Sequence, residues 1–116
     1  MESFINYSEK IGNNFLLCQG PGGNTSIKTE NKILIKKSGH LLSQSKNKNT
    51  FKKVKLNDIK SFYENAQNER KFDQSLSIET PLHVLLDSKY IFHYHSIASI
   101  LISAIYNKNE LDKKLI

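Results

Sequence analysis

The sequence predicts one domain of mixed α/β class, and three observations carry that prediction. Two short runs have strand character: Lys32–Lys37 (KILIKK), an apolar stretch bounded by turn residues, and Phe51–Leu56 (FKKVKL), which alternates apolar and basic residues. Segments between them carry apolar residues three and four apart, the period of helices. A chain of 116 residues, 38% of them apolar, is long enough to bury one core and short for two. Residues 1–116 are therefore taken as a single domain, with no internal repeat and no low-complexity linker.

The elements follow in order. Phe4, Ile5, Ile11 and Phe15 give Glu2 to Phe15 a helical spacing. Gln19-Gly20-Pro21-Gly22-Gly23-Asn24 is the strongest turn signal in the chain. Strands are expected at Thr25–Thr29 and Lys32–Lys37, joined by a tight hairpin at Glu30-Asn31 and stopped by Ser38-Gly39. Leu42 to Thr50 is polar and reads as a loop, and Phe51–Leu56 as a half-exposed strand. Asn57 or Asp58 can cap a helix running to about Arg70, followed by a polar linker over residues 71–76. Ser77 is the expected cap of a helix over Ile78–Asp87 that presents Leu82, Leu85 and Leu86, with Pro81 harmless in its first turn. Tyr90–His95 is the next strand. Ser96 caps a last helix, to about Tyr106, whose apolar content predicts burial.

Composition excludes several function classes. No run approaches the length of a membrane span, and the first residues lack a basic segment followed by an apolar one, so a cytoplasmic address is expected. The single cysteine, Cys18, has no partner for an internal disulfide and is expected as a small buried hydrophobe. A net charge of +6 invites a nucleic-acid reading. Arg70 is the one arginine, however, and the lysines are scattered among asparagines and isoleucines without an aromatic platform or recognition helix. Neither nucleic acid nor membrane is expected as a partner.

The chemistry concentrates in His93-Tyr94-His95. Residues two apart on a strand point to one face, so the pair aims two imidazoles at one point. Neutral ring nitrogens on rigid backbone suit a metal; the competing reading is a pair of satisfied strand-end histidines, and both stay open. Glu79 falls in the first turn of its helix, where the dipole favours a carboxylate. His83, four residues on, shares its face as a surface contact, a metal pair, or a ligand with its hydrogen-bonding partner. The glycine turn fails both the Walker A template and the dinucleotide fingerprint. It is either a plain turn or, with Asn24 and Thr25, a nest of N–H donors for a phosphate or carboxylate. Ser38-Gly39, just past a strand end, is a second candidate anion contact.

Four motifs occur in a definite order: Q-G-P-G-G-N-T-S, I-L-I-K-K-S-G, S-I-E-T-P-L-H and F-H-Y-H-S. In that order the chain resembles the class II aldolase/adducin family, specifically the first half of its domain, from about Phe4 to Tyr106. Fuculose-phosphate and rhamnulose-phosphate aldolases are among its members. The resemblance implies a three-layer αβα sandwich around a central, mostly antiparallel sheet, truncated on its C-terminal side. It implies phosphate contacts from Gly23 and Asn24 and from Ser38 and Gly39. Ser77 matches the first of two serines the family commonly has there, and Ile78 replaces the second. Glu79 matches the acid/base glutamate. His93 and His95 match two of three zinc-binding histidines, the third lying beyond the region this sequence covers.

The implied reaction is retro-aldol cleavage of a sugar phosphate, in which zinc or another divalent metal stabilises the enediolate and a glutamate shuttles the proton. The same motifs serve metal-dependent epimerases and dehydratases, and adducin's head region is a non-catalytic scaffold. The substrate implied is a phosphorylated sugar or small hydroxy-carbonyl compound. Family sites lie between subunits, which implies a homo-oligomer or a partner chain that supplies the rest of the domain.

Overall fold

Residues 1–65, 71–106 and 113 are described by the computed structural model. The sheet grows outward from the predicted hairpin. Asn24–Thr29 (β1) and Lys32–Lys36 (β2) pair antiparallel as far as Thr29↔Lys32, leaving Glu30-Asn31 as the two-residue turn. Phe51–Lys55 (β3) adds beside β2 and Tyr90–His93 (β4) beside β1, giving the order β3-β2-β1-β4 with every pairing antiparallel.

Strand alternation divides the core between two faces. Ile33 and Ile35 of β2 point to one face and pack with Leu56, Ile59, Leu76 and Val84. This is the main apolar core, beneath helices α2 (Leu56–Asn65) and α3 (Thr80–Leu85). The opposite face carries Thr25, Phe51 and Phe92, and helix α1 (Glu2–Gly12) covers it. Phe4 of α1 is 1% exposed, with its ring 5.4 Å from Phe51 and 5.8 Å from Phe92. Ser8 Oγ meets Thr25 Oγ1 at 2.8 Å on the same side. Burying a side chain such as Phe4 contributes about 1.5–3 kcal/mol. Helices on both faces of an antiparallel sheet make the three-layer arrangement expected.

Boundaries differ from expectation where local hydrogen bonds intervene. Helix α1 stops at Gly12 rather than Phe15, because Asn14 folds the chain back: its backbone O accepts from Leu17 and Cys18 N–H, its Oδ1 from Leu16 N–H. The strand β3 ends at Lys55, and α2 starts at Leu56, ahead of the expected caps Asn57 and Asp58. The expected continuation of α2 to Arg70 lies outside the described residues. The loop after β2 holds a single 3-10 turn, Leu42–Gln44, that buries Leu42 completely.

The two later helices depart further. Ser77 does not cap α3; its Oγ accepts from Glu79 N–H at 3.2 Å and its carbonyl from Thr80, a turn that delays the helix to Thr80. The buried face of α3 is Thr80, His83 and Val84, while Leu82, Leu85 and Leu86 are exposed. Lys28 of β1 donates to the carbonyls of Val84 and Leu86 at the C-terminal end of α3, where a cation suits the helix dipole. Ser96 caps α4 (Ile97–Ile105), accepting from Ser99 N–H at 3.4 Å. The expected burial of α4 is not found: no residue of it is buried, and Ile100, Leu101 and Ile105 are exposed. No helix among the described residues is long and apolar enough to cross a membrane.

Candidate metal centre

The end of the sheet where β1 begins and β4 ends gathers the predicted site residues. Asn24 and His93 are paired across the two strands, so their side chains share a face. β4 stops at His93, and His95 lies just beyond it, anchored through its backbone N–H to Leu17 O at 2.8 Å. The two imidazoles sit edge to face, with centroids 5.0 Å apart. Glu79 enters from the residue before α3, and its Oε1 lies 3.0 Å from His93 Nδ1. One ligand atom each from Glu79, His93 and His95 all fall within 4.8 Å of one another.

These residues fit a metal ion. Ligands about 2.0–2.1 Å from zinc in a tetrahedron stand roughly 3.4 Å apart, so small side-chain rotations close the set. The Glu79–His93 approach is close without the alignment of a hydrogen bond. His93 Nδ1 is therefore a buried nitrogen with no hydrogen-bond partner. A buried polar atom left in that state costs stability, and a cation between carboxylate and imidazole removes the cost.

The glycine turn packs directly against this centre. A Cβ on Gly22 would stand 3.1 Å from His95 Nδ1, and one on Gly23 would stand 3.1 Å from the His93 carbonyl oxygen. Gly23 also holds φ at +75°, a conformation that side chains disfavour. Beside it Asn24 is 1% exposed, and neither its Oδ1 nor its Nδ2 has a hydrogen-bond partner. Cys18 is buried as expected and has a further role, donating its S–H to the Gly22 carbonyl at 2.9 Å. Burial raises the thiol's pKa, and nearby Lys36 partly offsets the rise.

Ser38 and Gly39 form a second turn, exposed and one step removed from the histidines. Lys36 joins the two turns: its buried Nζ donates to Pro21 O at 3.2 Å, to His40 O at 2.7 Å and to Lys37 O at 3.3 Å. Burial lowers the Lys36 pKa, with Cys18 and Glu79 acting against that shift. Ser38 N–H donates to Ser75 O at 2.8 Å, which brings this turn near the Ser77–Glu79 stretch. From His95 a groove of about 470 Å³ runs along α4, lined by Tyr94, Ser96, Ser99, Ile100 and Ser103.

The family model of the class II aldolase and adducin N-terminal domain matches residues 3–115. The chain belongs to this family. A solved structure with a similar fold is the N-terminal class II aldolase domain of a conserved protein from Thermoplasma acidophilum. It has a TM-score of 0.71 and 24% identity, with 95% of this chain covered. This chain spans 62% of the length of that structure. No curated protein matches the chain. Class II aldolases are in general metal-dependent, and the Glu79–His93–His95 group is the corresponding candidate here.

Two members of this neighbourhood escaped the sequence reading. Lys36 was not singled out because a lysine at a strand end is normally solvated. Ser26 sits two residues after Asn24 and therefore on the same face; it fills the space beside His83, with Oγ 2.7 Å from Nδ1. Its signal was the two-residue period of β1. His83 is fully buried and is not the surface contact allowed for above.

Proposed function

We propose that this class II aldolase domain is a metal-dependent lyase of sugar-phosphate type, cleaving a C–C bond beside a carbonyl. The observation that carries the reading is the convergence of Glu79, His93 and His95 next to the glycine turn. In this reading the three side chains hold zinc or another divalent ion. When bound, such an ion supplies Lewis-acid stabilisation of negative charge developing on a carbonyl oxygen.

The remaining chemistry belongs to the chain's own residues. Backbone N–H groups around Gly23 and the amide of Asn24 receive the substrate's phosphate, and Ser38, Gly39 and Ser77 extend that cradle. Remote phosphate binding then orients the reacting carbons, which is where binding energy is converted into rate. Glu79, through the carboxylate oxygen not facing His93, takes or gives a proton at the carbon next to the carbonyl. The groove from His95 along α4 is the approach for the non-phosphorylated end. In this reading the protein works in the cytoplasm, as a homo-oligomer.

Equilibrium dialysis against zinc tests the reading, with wild type compared to the double variant His93→Ala/His95→Ala. We expect about one ion per chain in the wild type and little in the variant. Equal metal content in both would sink the proposal. Products from a panel of ketose phosphates then separate a lyase from an epimerase or dehydratase using the same centre.

A second reading has an observation of its own. The exposed apolar row Ile100, Leu101 and Ile105 on α4 is the kind of surface that partners cover. It favours an adducin-like, non-catalytic binding domain. Bound metal without turnover of any ketose phosphate, alongside stable complex formation, would select it.

A further inference from the structure

His83 is a third imidazole behind the candidate centre, and none of the roles above uses it. It is completely buried, where the uncharged ring is the less costly form, so one nitrogen donates and the other accepts.

Ser26 decides which nitrogen donates. Its hydroxyl is buried, and its hydrogen bond among the described residues is to His83 Nδ1, at 2.7 Å. With the proton on Nδ1, the serine O–H would lack an acceptor and the Nε2 lone pair a donor, leaving two unmet buried groups. With the proton on Nε2, Ser26 donates to Nδ1 and one group is left over. The second arrangement is the more stable. It leaves an Nε2–H that is buried and has no partner.

Glu79 is the candidate acceptor for that N–H. His83 lies one helical turn after Glu79, and its backbone N–H reaches the Glu79 carbonyl at 3.3 Å. Asn24 Oδ1, also unpartnered on this face, competes as an acceptor. A carboxylate accepts about twice as strongly as a neutral amide, which favours Glu79.

We infer that His83 is a positioning residue for the metal centre, its Nε2–H aiming the Glu79 carboxylate toward His93 and His95 while Ser26 fixes the tautomer. The inference rests on the reading of Glu79, His93 and His95 as metal ligands. Ligating groups are commonly oriented by such hydrogen bonds from behind, and losing one typically weakens metal affinity ten- to a hundredfold.

The test measures zinc and cobalt(II) affinity of the full chain by competition with a chromophoric chelator. His83→Gln places its amide N–H near the Nε2 position, and His83→Asn near the Nδ1 position. We expect His83→Gln to bind within about threefold of wild type and His83→Asn to lose roughly ten- to a hundredfold, at matching thermal midpoints. Ser26→Ala should lose a smaller part. Both His83 variants are polar and of similar bulk, so a purely structural role would move their thermal midpoints and leave their affinities alike. Equal affinities for the two, with metal uptake that still depends on His93 and His95, overturn this inference alone. Metal uptake indifferent to His93 and His95 overturns the underlying reading and the inference with it.

Discussion

Gly23 and Gly39 offer a controlled perturbation, because both hold φ at +75° and differ in their surroundings. Replacing either with alanine imposes the same left-handed backbone cost, about 1–2 kcal/mol. A Cβ on Gly39 meets nothing within 4 Å. On Gly23 it would stand 3.1 Å from His93 O, 3.2 Å from Leu42 Cδ1 and 3.5 Å from Cys18 Sγ. The first two are tighter than ordinary contacts, and Leu42 and Cys18 are themselves buried. Overpacking of that kind adds about 1–3 kcal/mol. Gly23→Ala is therefore expected to lose about 2–5 kcal/mol against about 1–2 for Gly39→Ala. At roughly 4–8 °C per kcal/mol for a small domain, the extra 1–3 kcal/mol puts the gap in midpoint at about 4–24 °C. Thermal unfolding of both variants, followed by circular dichroism, reads it directly. The atom displaced is the carbonyl of His93, so Gly23→Ala should also weaken zinc binding and Gly39→Ala should not. Coincident melting curves would refute the claim that the turn is pressed against the β4 end.

Three further outcomes are expected. His83 stays neutral in the fold down to about pH 4, whereas an unfolded histidine takes its proton near 6.5; the unfolded chain thus binds more protons between those values. Stability of the metal-free protein should fall by about 3 kcal/mol as pH drops through that window and level off below it. Urea titrations at intervals across the window should show the loss in wild type and not in His83→Gln. Asp73 is held at a pKa of about 2 by hydrogen bonds from Lys52 and Ser75, so its contribution is complete above the ordinary value of 3.8 and disappears as pH falls through 2. Asp73→Asn should cost about 1 kcal/mol or less at pH 7, as a solvent-screened pair does, and progressively less as the pH falls to 2 and below. Lys36→Met strips a shared donor from three turn carbonyls and should cost about 1–3 kcal/mol, with faster amide exchange at Gly22 and His40.

Strands and hairpin were legible because apolar runs, alternation and turn residues act locally; the apolar run in Lys32–Lys36 and the alternation in Phe51–Lys55 need no help from the rest of the chain. Helix faces were less so. Leu82, Leu85 and Leu86 have the more apolar spacing, yet α3 turns Thr80, His83 and Val84 inward because Ser26 and Lys28 bind on that side. Local propensity carries no information about a partner on a distant strand. The same holds for Lys36, whose burial depends on carbonyls from two turns meeting over it. At the site, Glu79, His93 and His95 were each recognisable by residue type and motif. Their approach depends on the Asn24↔His93 register, and register across two distant strands is not written in either one.

That register has a consequence for how the protein folds. Strands β1, β2 and β3 follow one another along the chain, whereas β4 returns to the outer side of β1 only after α2 and α3 have intervened. Long-range closure of this kind is entropically the slow and weak step of a small sheet. The candidate centre straddles that seam, with Gly22 and Gly23 on one side, His93 and His95 on the other and Glu79 in the connection. On the metal-centre reading, a ligand held there would tie the two sides of that seam together. At a hundred times its dissociation constant it would add about 2.7 kcal/mol to the closed form.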